Sequence, residues 1–404
     1  MTVKVDRRGF LGGVIGGAAL GATAAAVVTS GPARAEARSS DAIAFEGAHQ
    51  AGIVTPAQDR LNFVAYDVTT TDRATLRDLL AEWTNAARQL TAGLPIGQTG
   101  AVDGNVHGPP EDTGEALDLP AAGLTVTIGF GRSLFDRRFG LANRRPAALV
   151  DIPAFPLDEL DPAATGGDLC LQICAYDEQV AFHAARQFTR IGAGVVNPRY
   201  VQHGHVRTSG VQPASGTPRN LMGFKDGTSN AKPDDADAIW AGGSDWMSGG
   251  SYLVTRRIRM MIEPWDRTSL IEQEEVIGRT KGVGAPLGSA TEHASPDFGA
   301  QANGKPVIPA DSHIRLAHPD HHGGVRLLRR GYNYTDGIDR TGRIDAGLFF
   351  MAYQADPRRA FIPIQSMLAA KDSLNEYIKH VGSGIWACPP GIRPGQTWGQ
   401  ALFG

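Results

Sequence analysis

The stretch "CAYDEQVAFHA", Cys174 to Ala184, has a faint echo in "MAYQADPRRAFIP", Met351 to Pro363. Each passes from a strand-like apolar run into a helix-like one. "DLCLQICAY" (Asp168 to Tyr176) reads as a strand. Asp177 then reads as the N-cap of a helix to about Phe188, because its carboxylate can accept from the unpaired amides of a first turn. Upstream, "LNFVAYDV" (Leu61 to Val68) alternates as a strand does, and Asp72 to Leu90 sets Leu76, Leu79, Leu80, Trp83 and Leu90 near helical spacing. "LTVTIGFG" puts Leu124, Val126, Ile128 and Phe130 on one strand face, and "AGVVNPRYVQHGHV" closes the series as a strand. The order β-α-β-β-α-β is ferredoxin-like.

The second half repeats that order. "SYLVTRRIRMMI" (Ser251 to Ile262) predicts a long strand and Arg267 to Gly278 a helix. "SHIRLA" (Ser312 to Ala317) and "GLFFMAYQ" (Gly347 to Gln354) predict strands, Arg358 to Ala370 a helix, and "SGIWAC" (Ser383 to Cys388) the last strand. The echo between the two strand-to-helix junctions joins this repeated order as a sign of duplication. The expected class is α+β, with two ferredoxin-like halves over 61–215 and 216–404 and a flexible lead-in over 36–60. The loop-like segments Gly97–Thr113 and Gly284–Gly304 are long enough to suggest that they cover or line a pocket.

The start of the chain reads as an export signal over 1–35. Arg7 and Arg8 precede Phe10 and Leu11, a Gly/Ala/Val-rich stretch runs to about Val28, and Ala33-Arg34-Ala35 has the form of a cleavage site. The paired arginines suggest the twin-arginine route, which carries folded proteins, to the periplasm or medium. The alternative, a membrane anchor, is opposed by a short, glycine-rich apolar run that leads straight into the cleavage-like site. No stable anchor is expected after cleavage near Glu36. Export in the folded state raises the expectation of a cofactor inserted beforehand.

The formal net charge is −3 and the pI about 6.4, so no basic patch for nucleic acid is expected. Cys170, Cys174 and Cys388 are the only cysteines. Two of them share one predicted strand, where four residues span ~13 Å, too far for a disulfide. All three read as core residues, with no CxxC metal signature.

The histidines gather in "QHGHVR" (His203, His205) and "SHIRLAHPDHH" (His313, His318, His321, His322). The second group invites a zinc or iron site. The plainer reading leaves His318, His321 and His322 as solvated loop residues. His313, in a predicted strand, is held rigidly enough for a single axial ligand to iron, or for a core histidine. The lone carboxylate of "GFKDGTSN", Asp226, can be turn chemistry or a catalyst.

Four motifs narrow these alternatives. "NLMGFKDGTSN", "SHIRLAHP", "LLRRGYNY" and "GLFFMAYQADPRRAFIPIQ" occur in the order seen in dye-decolourising (DyP-type) peroxidases, and from about Asn62 to Pro390 the chain resembles that family. The likeness is greatest to the exported branch with deferrochelatase/peroxidase proteins. The resemblance implies paired ferredoxin-like halves in a barrel-like arrangement, with one haem b per chain in the C-terminal half. It implies His313 as proximal iron ligand, Asp226 as distal proton shuttle and Arg329 as distal charge stabiliser. Gly227, Thr228 and Ser229, and a second stretch of His318, Pro319 and Asp320, are implied at the haem edge. The chain departs from the pattern at His318, often Asn or Ser in relatives, and at Ala231, often proline.

The implied partners are hydrogen peroxide and small one-electron donors such as dyes and phenols, with a homo-oligomer compatible. Tyr332, Tyr334 and Trp386 are candidate surface relays for electrons from large donors, with packing as their alternative role. Iron release from haem, a non-catalytic haem carrier and a non-haem metal site stand as rivals. An aspartate titrates near ~3.9 and stays competent where a distal histidine would be protonated, so an acidic pH optimum is expected.

Overall fold

In the first half each strand-to-helix junction is set by an aspartate that meets bare amides. In the computed structural model, which describes residues 41–206 and 216–404, strand β1 (Arg60–Val68) leads to helix α1 (Arg73–Thr91), started by Asp72, which accepts from the amides of Ala74 and Thr75 at 3.1 Å each. Strands β2 (Thr125–Gly131) and β3 (Leu169–Ala175) follow. Asp177 then caps α2 (Glu178–Ile191), accepting from the Val180 amide at 2.9 Å, and β4 (Val196–His205) closes the half. The export signal expected over 1–35 and the boundary expected at residue 215 lie outside the described residues.

The second half runs β5 (Ser251–Met260), α3 (Ile262–Arg267), α4 (Leu270–Ile277), α5 (His313–Leu316), β6 (Tyr332–Ile338), β7 (Ile344–Gln354), α6 (Phe361–Lys371) and β8 (Ile378–Cys388). Two expectations change here. The helix expected over 267–278 is α4, confined to 270–277 because Ser269 caps its start and Gly278, with φ 86°, ends it, and the short α3 precedes it where the strand was expected to end. "SHIRLA" is a helical turn, with the Leu316 amide on the Ser312 carbonyl and that of Ala317 on His313. Four alternating residues are too few to separate a strand from a turn of helix.

These eight strands pair antiparallel in the order β5-β8-β2-β3-β1-β4-β6-β7, and β7 returns to pair with β5, which closes a barrel. Within it the halves have matching orders, β2-β3-β1-β4 and β6-β7-β5-β8. The sequence echo therefore falls on equivalent corners, β3 to α2 and β7 to α6. The seams between halves are short. One consists of Trp386–Gly131 and Ala387–Phe130, the other of His205–Asn333.

Other groups complete the first seam. Gln50 donates to the Ile128 carbonyl beside β2 (3.1 Å) and to Pro389 beyond β8 (2.9 Å), and accepts from the Ile128 amide (2.9 Å). Gln50 and Ile53 are buried, so this part of the expected flexible lead-in is instead packed structure. A loop from the first half runs along the rest of β8, with Glu159, Asp161 and Gly166 donating to His380, Val381 and Ser383.

The barrel interior is apolar and aromatic. Phe63 meets Phe349 at 5.1 Å and Trp386 at 6.0 Å between ring centres. Tyr332, Tyr334 and Trp386 are all 0 % exposed, which corrects their expected place as surface relays. The three cysteines are free and buried, as core residues. Outside the first half, α1 and α2 pack flush: Tyr66, Trp83 and Phe188 fill the interface, with centroid spacings of 5.2 and 5.9 Å. Among the described residues no helix is long and apolar enough to cross a membrane.

The seam has no room for a side chain at Gly131, where a Cβ would lie 2.0 Å from the Gly167 carbonyl oxygen and 3.1 Å from the Trp386 ring. Gly131→Ala is expected to cost roughly 1–3 kcal/mol or more by overpacking. A thermal melt with unchanged midpoint would contradict this account of the seam.

Candidate active site

The helices of the second half do not lie flush on their sheet. Between them is a cavity of about 230 Å³. Arg256 and Ile258 of β5 and Leu348 and Phe350 of β7 line its sheet side; Phe361, Ile364, Gln365 and Leu368 of α6 line its helix side. Both walls are largely apolar, and the charged groups enter at chosen points.

His313 enters on the helix side. The short α5 packs against α6 and turns the imidazole into the cavity. Its Nδ1 lies 2.6 Å from Asp372 Oδ2, and the other oxygen of Asp372 accepts from the Leu374 amide at 2.9 Å. Asp372 is itself 5 % exposed. A buried carboxylate with both oxygens engaged fixes the ring and makes Nδ1 the donor, which leaves Nε2 with its lone pair available. Burial alone would lower the imidazole pKa, but the Asp372 charge and hydrogen bond outweigh it, and the net shift is upward.

Asp226 and Arg329 enter on the sheet side. Arg329 follows Leu328 in a two-residue strand against Ala352 and Tyr353 of β7. Its Nη1 donates to Asp226 Oδ1 at 2.8 Å. The Asp226 amide donates to the Pro218 carbonyl at 2.9 Å, and Gly227 has φ 124°, so the residue also has the turn role that its sequence allowed. Asn230 holds the loop to the strand: its Oδ1 accepts from the Arg329 amide at 2.6 Å and its Nδ2 donates to the Arg329 carbonyl at 2.8 Å. Both charges act on His313 across the cavity.

Gly227, Thr228, Ser229, His318 and Pro319 all line the same cavity. Asp320 does not: its side chain is 75 % exposed, because the turn from Pro319 to His321 points it outward. His322 is tied to the Leu316 carbonyl at 2.7 Å. Among the described residues no three histidine, cysteine or acidic side chains gather as a site for a metal ion.

Several lining groups had no signal in the sequence. Arg256, 1 % exposed, is paired with Asp158 from the first half and donates to Ser383 at 3.1 Å. Beside them burial and the Arg256 charge hold His380 neutral down to about 3. Asp372 could have been read as a cap after α6, but its link to His313 spans 59 residues. Of the two long loops, 284–304 reaches this cavity through Pro296, whereas 97–113 lies over the first half, where Asp112 meets His183 at 3.4 Å.

This fold has close counterparts. Residues 50–206 match the family described as Dyp-type peroxidase, N-terminal, and residues 217–393 its C-terminal counterpart. The chain belongs to the DyP-type peroxidases. It is 39% identical over 360 residues to the deferrochelatase of Yersinia pestis, covering 86% of this chain and 81% of that one. Ferric DtpA from Streptomyces lividans is 41% identical with a TM-score of 0.84, covering 91% of this chain and 98% of its own. An oxyferrous complex of DtpA is 40% identical with a TM-score of 0.85, covering 91% and 99%.

Glu292, from the 284–304 segment, accepts from Lys225, Thr217 and Thr228 around the Asp226 loop. Burial would raise its pKa, but these partners draw it from the ordinary 4.5 down to about 2. A depressed carboxylate stabilises the fold above its unfolded pKa and loses that contribution as pH falls through the folded one. The melting temperature is expected to drop between pH 4.5 and about 2, and less steeply in Glu292→Gln. Equal slopes in the two proteins would refute the assignment.

Proposed function

We propose that this DyP-type peroxidase binds one haem b in the cavity, reduces hydrogen peroxide and oxidises dyes, phenols or other one-electron donors. The observation that carries the reading is the Asp226–Arg329 pair on the sheet side of a cavity whose helix side presents His313. Two apolar walls, an imidazole oriented through Nδ1 and the hydroxyl of Ser229 fit a flat, apolar, iron-centred ring. The ferric and oxyferrous forms of DtpA support the same cofactor class.

In this reading His313 would hold iron through Nε2, with Asp372 keeping the ring in place. The haem supplies the redox chemistry, and the protein supplies binding, orientation and charge. Asp226 takes the proton from one peroxide oxygen and returns it to the other, so that water can leave. Arg329 occupies one carboxylate oxygen, so the second carries the proton. The guanidinium stays cationic throughout and balances charge on the departing oxygen.

The deferrochelatase relatives favour a second reading, iron release from haem with intact porphyrin as product. A pure haem carrier is disfavoured, because the Asp226–Arg329 pair has no use in it. Porphyrin fluorescence after incubation with haem separates the two catalytic readings.

Asp226→Asn is expected to slow the peroxide-induced Soret change by ~10²–10⁴-fold, and Arg329→Leu by ~10²–10³-fold, with haem content retained. The wild-type rate should be highest in acid. If Asp226→Asn keeps the wild-type rate, the aspartate is turn chemistry only. Export by the twin-arginine route to periplasm or medium belongs to the same proposal. N-terminal sequencing of the exported chain should find a start near Glu36, and retention of Arg7 and Arg8 would overturn it.

A further inference from the structure

Behind the Asp226 loop stands a carboxylate that the chemistry above does not use. Glu292 accepts from the Thr228 hydroxyl at 3.1 Å, from the Thr217 hydroxyl and from Lys225 Nζ. Its side chain is 12 % exposed. Arg279, buried and lining the cavity, donates from Nη1 to the Glu292 carbonyl at 2.9 Å and to that of Gly284 at 2.7 Å, so the backbone that carries Glu292 is itself anchored.

The three partners bracket Asp226. Lys225 precedes it, Thr228 follows two residues on, and Thr217 adjoins Pro218, whose carbonyl receives the Asp226 amide. Gly223 and Gly227 both have positive φ, so the loop backbone has little preference of its own for one position. Proton transfer needs the carboxylate at a fixed place within hydrogen-bond reach. Asn230 and Arg329 hold the C-terminal side of the loop, and Arg219, bonded to the Gly223, Lys281 and Gly282 carbonyls, with buried Met222 and Phe224, holds its middle, which leaves Thr217 and Lys225, the neighbours of Pro218 and Asp226, to Glu292.

We propose that Glu292 is a positioning residue for Asp226, a clasp from the 284–304 segment that draws both arms of the loop to one carboxylate. It also occupies Lys225. The groups that face Asp226 are Arg329 from the strand, Lys225 alongside, Arg279 beyond α4 and His313 across the cavity. Without Glu292 the Lys225 ammonium is free to compete with Arg329 for the Asp226 carboxylate. The Thr228 hydroxyl, committed to Glu292, is likewise withdrawn from donating into the cavity. The inference rests on Asp226 as the proton carrier.

The test compares Glu292→Gln with Asp226→Asn. Stopped-flow absorbance of the haem-loaded proteins reads the peroxide reaction across pH, and amide hydrogen exchange of the haem-free proteins reads segment 217–229. Glu292→Gln is expected to keep its Soret band, slow the peroxide reaction on the order of tenfold with an altered pH profile, and speed exchange in that segment. Adding Lys225→Met should restore part of the rate. A variant that only melts earlier, with wild-type rate, pH profile and exchange, overturns the clasp. Slow Asp226→Asn beside normal Glu292→Gln sinks the clasp alone, whereas a normal Asp226→Asn sinks the reading beneath it. Should Glu292→Gln not fold, Thr228→Val serves: slower reaction with faster exchange supports the clasp, and no change in either removes it.

Discussion

The hydrogen bond from Arg329 to Asp226 joins two segments a hundred residues apart on the face of one cavity, and the site's geometry follows from it. Neither side chain could stand there alone without leaving a charge against apolar walls formed by Ile258, Leu348 and Phe350. Paired at 2.8 Å and each about 30 % exposed, they neutralise one another while keeping access to the cavity. Arg329 can take that position because its strand is registered on β7, and Asp226 because a glycine-flanked loop folds back on Arg329 through Asn230. Across the cavity Asp372 does for His313 what Arg329 does for Asp226, supplying a fixed counter-charge.

The two halves of the barrel share a topology and differ in what lies outside it. In the first, Trp83, Phe188 and Tyr66 close the space between helices and sheet. In the second, the corresponding space remains a cavity with histidine on its helix side and the charge pair on its sheet side. A duplicated framework can thus devote one copy to stability and the other to chemistry. The first half is not a bystander, however: Asp158 crosses to Arg256 and Gln50 ties β2 to the end of β8.

Where sequence patterns extend over seven or more residues, the elements they imply are the elements found. The caps at Asp72 and Asp177 are local chemistry and could be read from the chain itself. Short or long-range features were not. "SHIRLA" is too short for its alternation to exclude a helical turn, and Tyr332, Tyr334 and Trp386 lie in a barrel interior that exists only once the two halves close into one sheet. Asp320 sits beside two cavity residues in sequence, yet its turn carries it to solvent.

The elements of the first half, the hint of duplication and, through motifs that resemble a known family, the candidacy of His313, Asp226 and Arg329 could be drawn from the sequence alone, because periodicity and the order of motifs are properties of a linear chain. The partners of those three residues could not. Asp372 beneath His313, Asn230 along Arg329 and Glu292 behind Asp226 are separated from them by 59, 99 and, through Thr228, 64 residues. Many acidic residues in the chain are chemically equivalent candidates for such roles. Only the folding of loops onto a closed barrel selects among them, since a hydrogen bond depends on distance in space and carries no trace in local composition.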